Sequence, residues 1–359
     1  MKNNILIVTG GTGGHVIPAV NFFHYIDSRS RNVYLLTDNR GYKYIKNIKE
    51  KNILKINSSH LSGNIIFKIR AIIKLFTGFL QSIIIFIKLK PKIVISFGSY
   101  ASLTPLLCLL LFKIFFKTKL YIHEQNSIIG QTNKIFLKFS NKIFMNFDKD
   151  YSSIKHYVQK ISIVGLPQKE IKKNYNKKSD IFNFLVFAGS QGSLEIILIL
   201  KKIINNLKIN KKLKKINFII QSPLQNHREI KNLLMKHNYD FEIKSFYDNF
   251  ENILRKTNIA LCRSGAGTIN DLINYKIPAI ICPLAAAKNN HQYENSKVLT
   301  DINCGIVVDY KKLNIDKIIL FIEKIIYDIN FNKSLLNNYN KIKLQNASEL
   351  MWTFIKNDQ

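Results

Sequence analysis

With 359 residues, 47% of them hydrophobic, the chain is too long for one ordinary core and suits two domains of roughly 150 to 200 residues, which excludes a disordered or collagen-like protein. The formal net charge of +31 comes from Lys spread along the whole chain beside frequent Ile and Asn, a composition bias that does not by itself nominate nucleic acid. Four cysteines, Cys108, Cys262, Cys282 and Cys304, lack a CxxC spacing, which points away from a disulfide framework and toward small core residues in a reducing compartment.

The first residues, MKNNILIVTGG, run straight into a strand and a glycine loop, without the apolar region and cleavage site of a signal peptide. Short β-branched runs at 5–8, 33–37, 93–96, 120–123 and 161–164 alternate with longer helical patterns. Near-continuous apolar strands separated by helices predict a parallel sheet covered on both faces. A second series at 184–188, 216–220, 259–262, 279–282 and 305–308 repeats the pattern, so the fold class is α/β with two Rossmann-like, doubly wound domains. Residues 1–165 form the first domain, the polar stretch 166–180 a linker, and 181–340 the second domain. One long final helix is expected over roughly 316–356, and its tail, 341–359, could pack back across the first domain.

The first strand ends in Gly10-Gly11-Thr12-Gly13-Gly14-His15, ahead of Pro18 and an apolar helix. Such a turn exposes backbone N–H groups at a helix N-terminus, which favours phosphate or developing negative charge. Asp38 closes the second strand where an NAD enzyme would hold a ribose, but Val16 stands where that fingerprint wants Gly or Ala. Loops after Phe97 (Gly98-Ser99-Tyr100) and after Ala188 (Gly189-Ser190-Gln191-Gly192) again follow strands and suit a cleft for a nucleotide-sugar. Arg263-Ser264-Gly265-Ala266-Gly267-Thr268 then runs into a helix carrying Asp271, whose carboxylate can accept from ribose hydroxyls or simply suit the helix dipole. In the stretch 283–296, helical spacing would put His291, Gln292 and Asn295 on one face.

Five ordered motifs, GGTGGH at 10–15, HEQN at 123–126, GSQG at 189–192, CRSGA at 262–266 and NNHQ at 289–292, resemble the MurG family over almost the full chain. The resemblance implies a GT-B fold, with the acceptor held by the first domain and UDP-GlcNAc by the second. It implies inverting transfer of GlcNAc to the 4-hydroxyl of MurNAc in undecaprenyl-pyrophosphoryl-MurNAc-pentapeptide, lipid I, within peptidoglycan synthesis and so cell-wall biogenesis, cell shape and division. His15 leads as the base that takes the hydroxyl proton, because imidazole is poised near neutral pH, and Glu124 stands second. By the same resemblance Thr12, Gly13, Gly14 and Asn126 lie near the transferred sugar, Ser190, Gln191 and Gln292 near the nucleotide, and Thr268 and Asp271 close the donor pocket. Lys169, Gly192, Ala266, Gly267, Ile269, Asn270 and Asn295 complete the substrate-binding set. Helix N-termini would stabilise the departing diphosphate, with no cofactor and no metal. Asp148-Lys149-Asp150 has the DxD form of metal-dependent transferases but sits in a linker-like stretch and reads as a solvated loop. The chain departs from the family at Asp271, where Glu is usual, at Leu166-Pro167-Gln168-Lys169, where Asn-Pro-x-Arg is usual, and at Ser99 and Ala188, where Gly is common.

A lipid-linked acceptor requires docking on a bilayer. The segments 65–90 and 106–119 mix Leu, Ile and Phe with Lys or Arg, which suits an anionic membrane surface as partner at the cytoplasmic face of the inner membrane, with no nucleic acid. Lys and Arg interrupt both, so neither offers the roughly 18 uncharged residues of a spanning helix. Most of their apolar residues are expected to be packed, with exposure around Phe76, Phe79 and Phe116. Rival readings are a UDP-GlcNAc 2-epimerase or another GT-B enzyme on the same fold, and a non-catalytic basic membrane-binding protein.

Overall fold

The structure, a computed structural model, describes residues 4–29, 32–61, 64–113, 115–149, 151–169, 181–188, 193–208, 215–284 and 290–358. The chain divides into two compact units, Met1–Glu170 together with Gln345–Gln359, and Ile171–Leu344. Of the expected linker, residues 170–180 lie outside the described residues.

In the first unit, strands β1 (Ile5–Val8), β2 (Val33–Thr37), β3 (Ile53–Lys55), β4 (Ile93–Ser96), β5 (Lys119–Glu124), β6 (Lys142–Met145) and β7 (Ile161–Ile163) form one parallel sheet. Its order is β3-β2-β1-β4-β5-β6-β7. Helices α1 (Gly13–Asp27), α2 (Asn39–Tyr42), α3 (Ile65–Leu89), α4 (Leu103–Lys113) and α5 (Gln131–Phe136) connect the strands. The period-2 alternation of a strand sorts β1 between two cores: Ile5 and Ile7 join Val16, Phe22 and Phe23 of α1, while Leu6 and Val8 join Leu106 and Leu109 of α4 on the other face.

The second unit repeats this plan with β8 (Ile181–Phe187), β9 (Lys215–Gln221), β10 (Asp240–Lys244), β11 (Ile259–Cys262), β12 (Ala279–Ile281) and β13 (Gly305–Val307). Their order, β10-β9-β8-β11-β12-β13, reverses between β8 and β11, as the first sheet reverses between β1 and β4. Its helices are α6 (Leu194–Asn206), α7 (His227–Lys236), α8 (Phe250–Lys256), α9 (Ala266–Asn274), α10 (His291–Thr300), α11 (Ile315–Tyr327) and α12 (Ile329–Asn340). The two doubly wound parallel sheets are the expected architecture. Ligands of such sheets bind beyond the carboxyl ends of the strands at the reversal point, which is where the glycine-bearing loops lie.

The expected single final helix is instead three, α11, α12 and α13 (Ala347–Asn357). Asp328 ends α11 and caps α12 by accepting from the Phe331 N–H, and Asn346 caps α13 by accepting from Glu349 N–H. Met351, Trp352 and Ile355 of α13 are buried in the first unit's core beside α1.

Helix α3 departs from expectation more sharply. Its cations gather at Lys68, Arg70, Lys74 and Lys88, leaving 75–87 uncharged, so an 18-residue window reaches a mean hydropathy of 1.9 and the helix is long and apolar enough to cross a membrane by length and composition. Only 17% of that window is buried, so it is not an ordinary core helix. Ala71, Gly78, Ser82 and Phe86 form its one buried stripe, and a Cβ on Gly78 would stand 2.0 Å from the Asn57 carbonyl, so glycine permits this close approach. The opposite side exposes far more than the expected minority: Ile65 at 74%, Phe76 at 61%, and Ile66, Phe67, Ile72 and Ile73 at more than half. Phe79 and Phe116, expected exposed, are half-buried, Phe79 against the sheet and Phe116 stacked on Phe112 at 5.9 Å. Phe115 takes the outer position instead, 78% exposed.

Candidate active site

The first unit builds its site from three strand ends. After β1, Gly11 (φ 76°) turns the chain into α1, and Thr12 at the N-cap receives the His15 and Val16 N–H groups on its carbonyl. Pro18 lies inside α1 and brings no N–H for the Gly14 carbonyl, a disruption of about 3 kcal/mol in an ordinary helix interior. In the opening turn Thr12 and Gly14 are exposed and Gly13 and His15 half-exposed.

Asp38 holds this loop from below. Its buried carboxylate accepts from the Gly11 and Gly41 N–H groups, each at 2.9 Å, and its second oxygen pairs with Arg40 at 2.9 Å. Both oxygens are committed, so Asp38 is an anchor and not the ribose acceptor of a dinucleotide site. After β4, Gly98 (φ 77°) is followed by Ser99, also at φ 77°, a conformation that glycine adopts more readily than serine. A cavity of about 360 Å³ opens beside Asp38, lined by Arg40, Asn57, His60, Phe67 and Lys74, the last two from the first turns of α3.

After β5, the HEQN residues divide their work. His15 Nδ1 lies 2.9 Å from the Phe97 carbonyl and 2.8 Å from Gln125 Oε1. Among the described residues its Nε2 has no partner. Glu124 is buried and accepts from four donors: Asn126 N–H and side-chain amide on one oxygen, and Gly130 N–H and the Asn133 amide, each at 2.9 Å, on the other. It braces the loop into α5 and orients Asn126, a geometry of support more than of proton removal. Lys169 is exposed at the end of the unit.

In the second unit the GSQG residues Ser190, Gln191 and Gly192 lie outside the described residues, as does Asn289. Among the described residues Arg263, quoted in a sequence motif but not singled out there, organises the strand ends of this unit. Its 12%-exposed guanidinium donates to the carbonyls of Cys282 (2.9 Å) and Pro283 (3.1 Å), to Ser193 Oγ (2.7 Å) and to Glu195 (2.5 Å). Ser193 also caps α6, so one side chain ties the ends of β11 and β12 to that cap. Such planar, multiply bonded geometry is specific to Arg.

Helix α9 starts at Ala266 with no side-chain cap and no acidic residue in its first turn, and a Cβ placed on Gly267 would meet nothing within 4 Å. Thr268 and Asp271 are half-buried on this helix. Desolvation pushes the Asp271 carboxyl up to about 7, and among the described residues it has no hydrogen-bond partner. Three further expected binding residues have their side chains engaged within the unit. The Ile269 side chain is fully buried, Asn270 bonds back to the Ala266 carbonyl, and buried Asn295 donates to the Ser264 carbonyl, fixing α10 to the β11 loop. Gln292 is half-buried and accepts from Leu284 N–H at 2.9 Å. Among the described residues, no group of three His, Cys, Asp or Glu side chains gathers to hold a metal ion, and Asp150 of the DxD stretch lies outside them.

Two doubly wound units with these loops define a GT-B glycosyltransferase. The chain matches the sequence profiles of the glycosyltransferase family 28 N-terminal domain over residues 5–145 and of the family 28 C-terminal domain over 183–351. It is 30% identical over 353 residues to the UDP-N-acetylglucosamine--N-acetylmuramyl-(pentapeptide) pyrophosphoryl-undecaprenol N-acetylglucosamine transferase of Rickettsia bellii, covering 96% of each chain. It is 29% identical to the Rickettsia prowazekii protein of that name, covering 96% of this chain and 95% of the other. Among solved structures it is similar to Acinetobacter baumannii MurG, with a TM-score of 0.77 at 19% identity over 99% of both chains, and to a kitacinnamycin glycosyltransferase, with a TM-score of 0.73 at 10% identity. The chain belongs to the MurG family.

Proposed function

We propose that this protein transfers GlcNAc from UDP-GlcNAc to the 4-hydroxyl of MurNAc in lipid I, forming lipid II for the cell wall and so serving cell shape and division. The observation that carries the reading is His15: a half-exposed imidazole beside the glycine loop, with one nitrogen tied to acceptors and the other open. As the acceptor oxygen bonds to the anomeric carbon, the bond from that carbon to the diphosphate oxygen breaks and UDP leaves with the electron pair. His15 Nε2 takes the hydroxyl proton, the work of a general base. Asn126, held by Glu124, and Thr12, Gly13 and Gly14 position the reacting sugars. The N-terminus of α9 receives the diphosphate, with Gln292 and the Ser190-Gln191-Gly192 loop about the nucleotide, while Asp271 accepts from ribose.

The acceptor's lipid brings the enzyme to an anionic membrane surface at the cytoplasmic face of the inner membrane. The exposed apolar side of α3, interleaved with Lys68, Arg70 and Lys74, supports peripheral docking there, and the cation-bearing cavity at its start suits the anionic head of the acceptor. Replacing Ile73 and Phe76 together by Ser is expected to lower binding to vesicles containing phosphatidylglycerol while leaving UDP affinity unchanged; unaltered vesicle binding would move the docking surface elsewhere.

The decisive assay is release of UDP from UDP-GlcNAc by purified protein in EDTA, with and without a short-chain lipid I analogue. Release that depends on the analogue is the expected result. Donor binding without release would instead indicate a non-catalytic protein.

A further inference from the structure

Behind His15 lies a chain of polar groups whose proton positions are fixed by backbone carbonyls, which can only accept. The buried Gln125 amide has one end 3.0 Å from the Phe97 carbonyl and 3.2 Å from the His123 carbonyl, so that end is the nitrogen and donates. The other end is therefore Oε1, the atom 2.8 Å from His15 Nδ1. Since Phe97 O also lies 2.9 Å from Nδ1, that ring nitrogen faces two acceptors and must carry the proton. The same logic closes the chain at its far end. His123 Nε2 lies 2.9 Å from the Gly165 carbonyl and must donate, which leaves its Nδ1 to accept from the Gln125 nitrogen at 3.2 Å. His123 stacks on Phe97 at 5.0 Å and is fully buried, and burial holds it down at about 4, neutral as this arrangement requires.

We propose that Gln125, backed by His123, is a positioning residue that holds His15 in the Nδ1–H tautomer and so leaves Nε2 as its basic nitrogen. This rests on the reading of His15 as the base. An amide in this place orients the ring through a hydrogen bond without adding a charge beside it, and leaves Nε2 as the nitrogen open to a proton. The titratable neighbours agree: His123 faces it through Gln125 as a neutral ring, and the Glu124 carboxylate is turned to Gly130 and Asn133 at the start of α5.

The test is long-range proton–nitrogen NMR on the full-length, 15N-histidine-labelled protein at pH 8, with His15 assigned by His15→Ala. The expected wild-type pattern is a protonated Nδ1 and a pyridine-like Nε2 at His15, opposite to the preference of free imidazole. Gln125→Met should mix the tautomers and lower kcat by roughly 10 to 100-fold, with KM for UDP-GlcNAc unchanged. Gln125→Glu keeps an acceptor, so it should retain the tautomer and raise the acid limb of the pH–rate profile, because the carboxylate favours the imidazolium. A wild-type Nε2–H pattern, or wild-type kcat in Gln125→Met, overturns the inference. Normal turnover in His15→Ala would instead remove the base itself, an outcome the spectrum distinguishes because it reads the tautomer without turnover.

Discussion

The two strand-end clusters are built to opposite designs. In the first unit the charged and amide groups about His15 are tied down: Asp38 by two N–H groups and Arg40, Glu124 by four donors, Gln125 and His123 by carbonyls. In the second, Arg263 clamps the frame, while within it α9 begins without a side-chain cap and Asp271 stands desolvated without a partner among the described residues. A proton-transferring group needs its orientation fixed before substrate arrives, whereas a nucleotide pocket needs donors and acceptors that only the ligand satisfies. On the proposed reading, the comparison teaches that the unit carrying the base has its polar partners in place without ligand, while the unit expected to hold the nucleotide leaves Asp271 for the ligand to satisfy.

The contrast breaks most visibly at His15. We expect His15→Ala to lower kcat by roughly 10² to 10⁴-fold while UDP affinity, measured by calorimetry, is unchanged; a matching loss of affinity would mean that the first unit also binds donor. In the second unit, Arg263→Ala should destabilise by about 3 kcal/mol in urea unfolding and weaken UDP binding, since it strands two carbonyls and Glu195. Full stability would show that the frame does not depend on the clamp.

Asp271 gives a smaller, pH-dependent effect. Its folded-state carboxyl, near 7 against an ordinary value of about 4, binds a proton that the unfolded chain does not, so stability of the free protein falls as pH rises across that window. Ribose hydroxyls donating to the carboxylate favour its charged form, so UDP should bind more tightly as pH rises from 6 to 8, with proton release below 7. Asp271→Asn should flatten both slopes, as read by calorimetry in buffers of different ionisation enthalpy; a slope that survives would place the proton elsewhere. Smallest of all, Ser99→Gly relieves a left-handed serine and is expected to raise stability by about 1 kcal/mol in thermal unfolding, without change in kcat.

Much of the fold was legible because buried parallel strands announce themselves: β1, β2, β4 and β11 match the apolar runs residue for residue. The strands that escaped are β3, β6 and β10, short or polar, such as Asp-Phe-Glu-Ile-Lys at 240–244 on a sheet edge, where only half-burial distinguishes a strand from a loop. The break in the final helix hung on Asp328 and Asn346, whose capping role needs the next turn to exist. At the site, glycines and the neighbouring imidazole could be read as chemistry from their types. Partnerships could not: Glu124 is saturated by donors that only the folded loop turns toward it, Ile269 is interior, and the bonds of Asn295 to Ser264, Arg263 to Ser193 and Gln125 to His15 span 31, 70 and 110 positions.

The helix α13 gives the first unit an unusual history in time. Met351, Trp352 and Ile355 complete a core begun by Ile5 and Ile7, and Tyr121 donates to Asp358 at 2.6 Å. The unit whose strands are synthesised first is therefore completed only after the second unit has been made, so a nascent chain carries a core covered by α1 but still lacking α13. Loss of α13 would fall on the unit that holds His15, although the two lie far apart in the sequence.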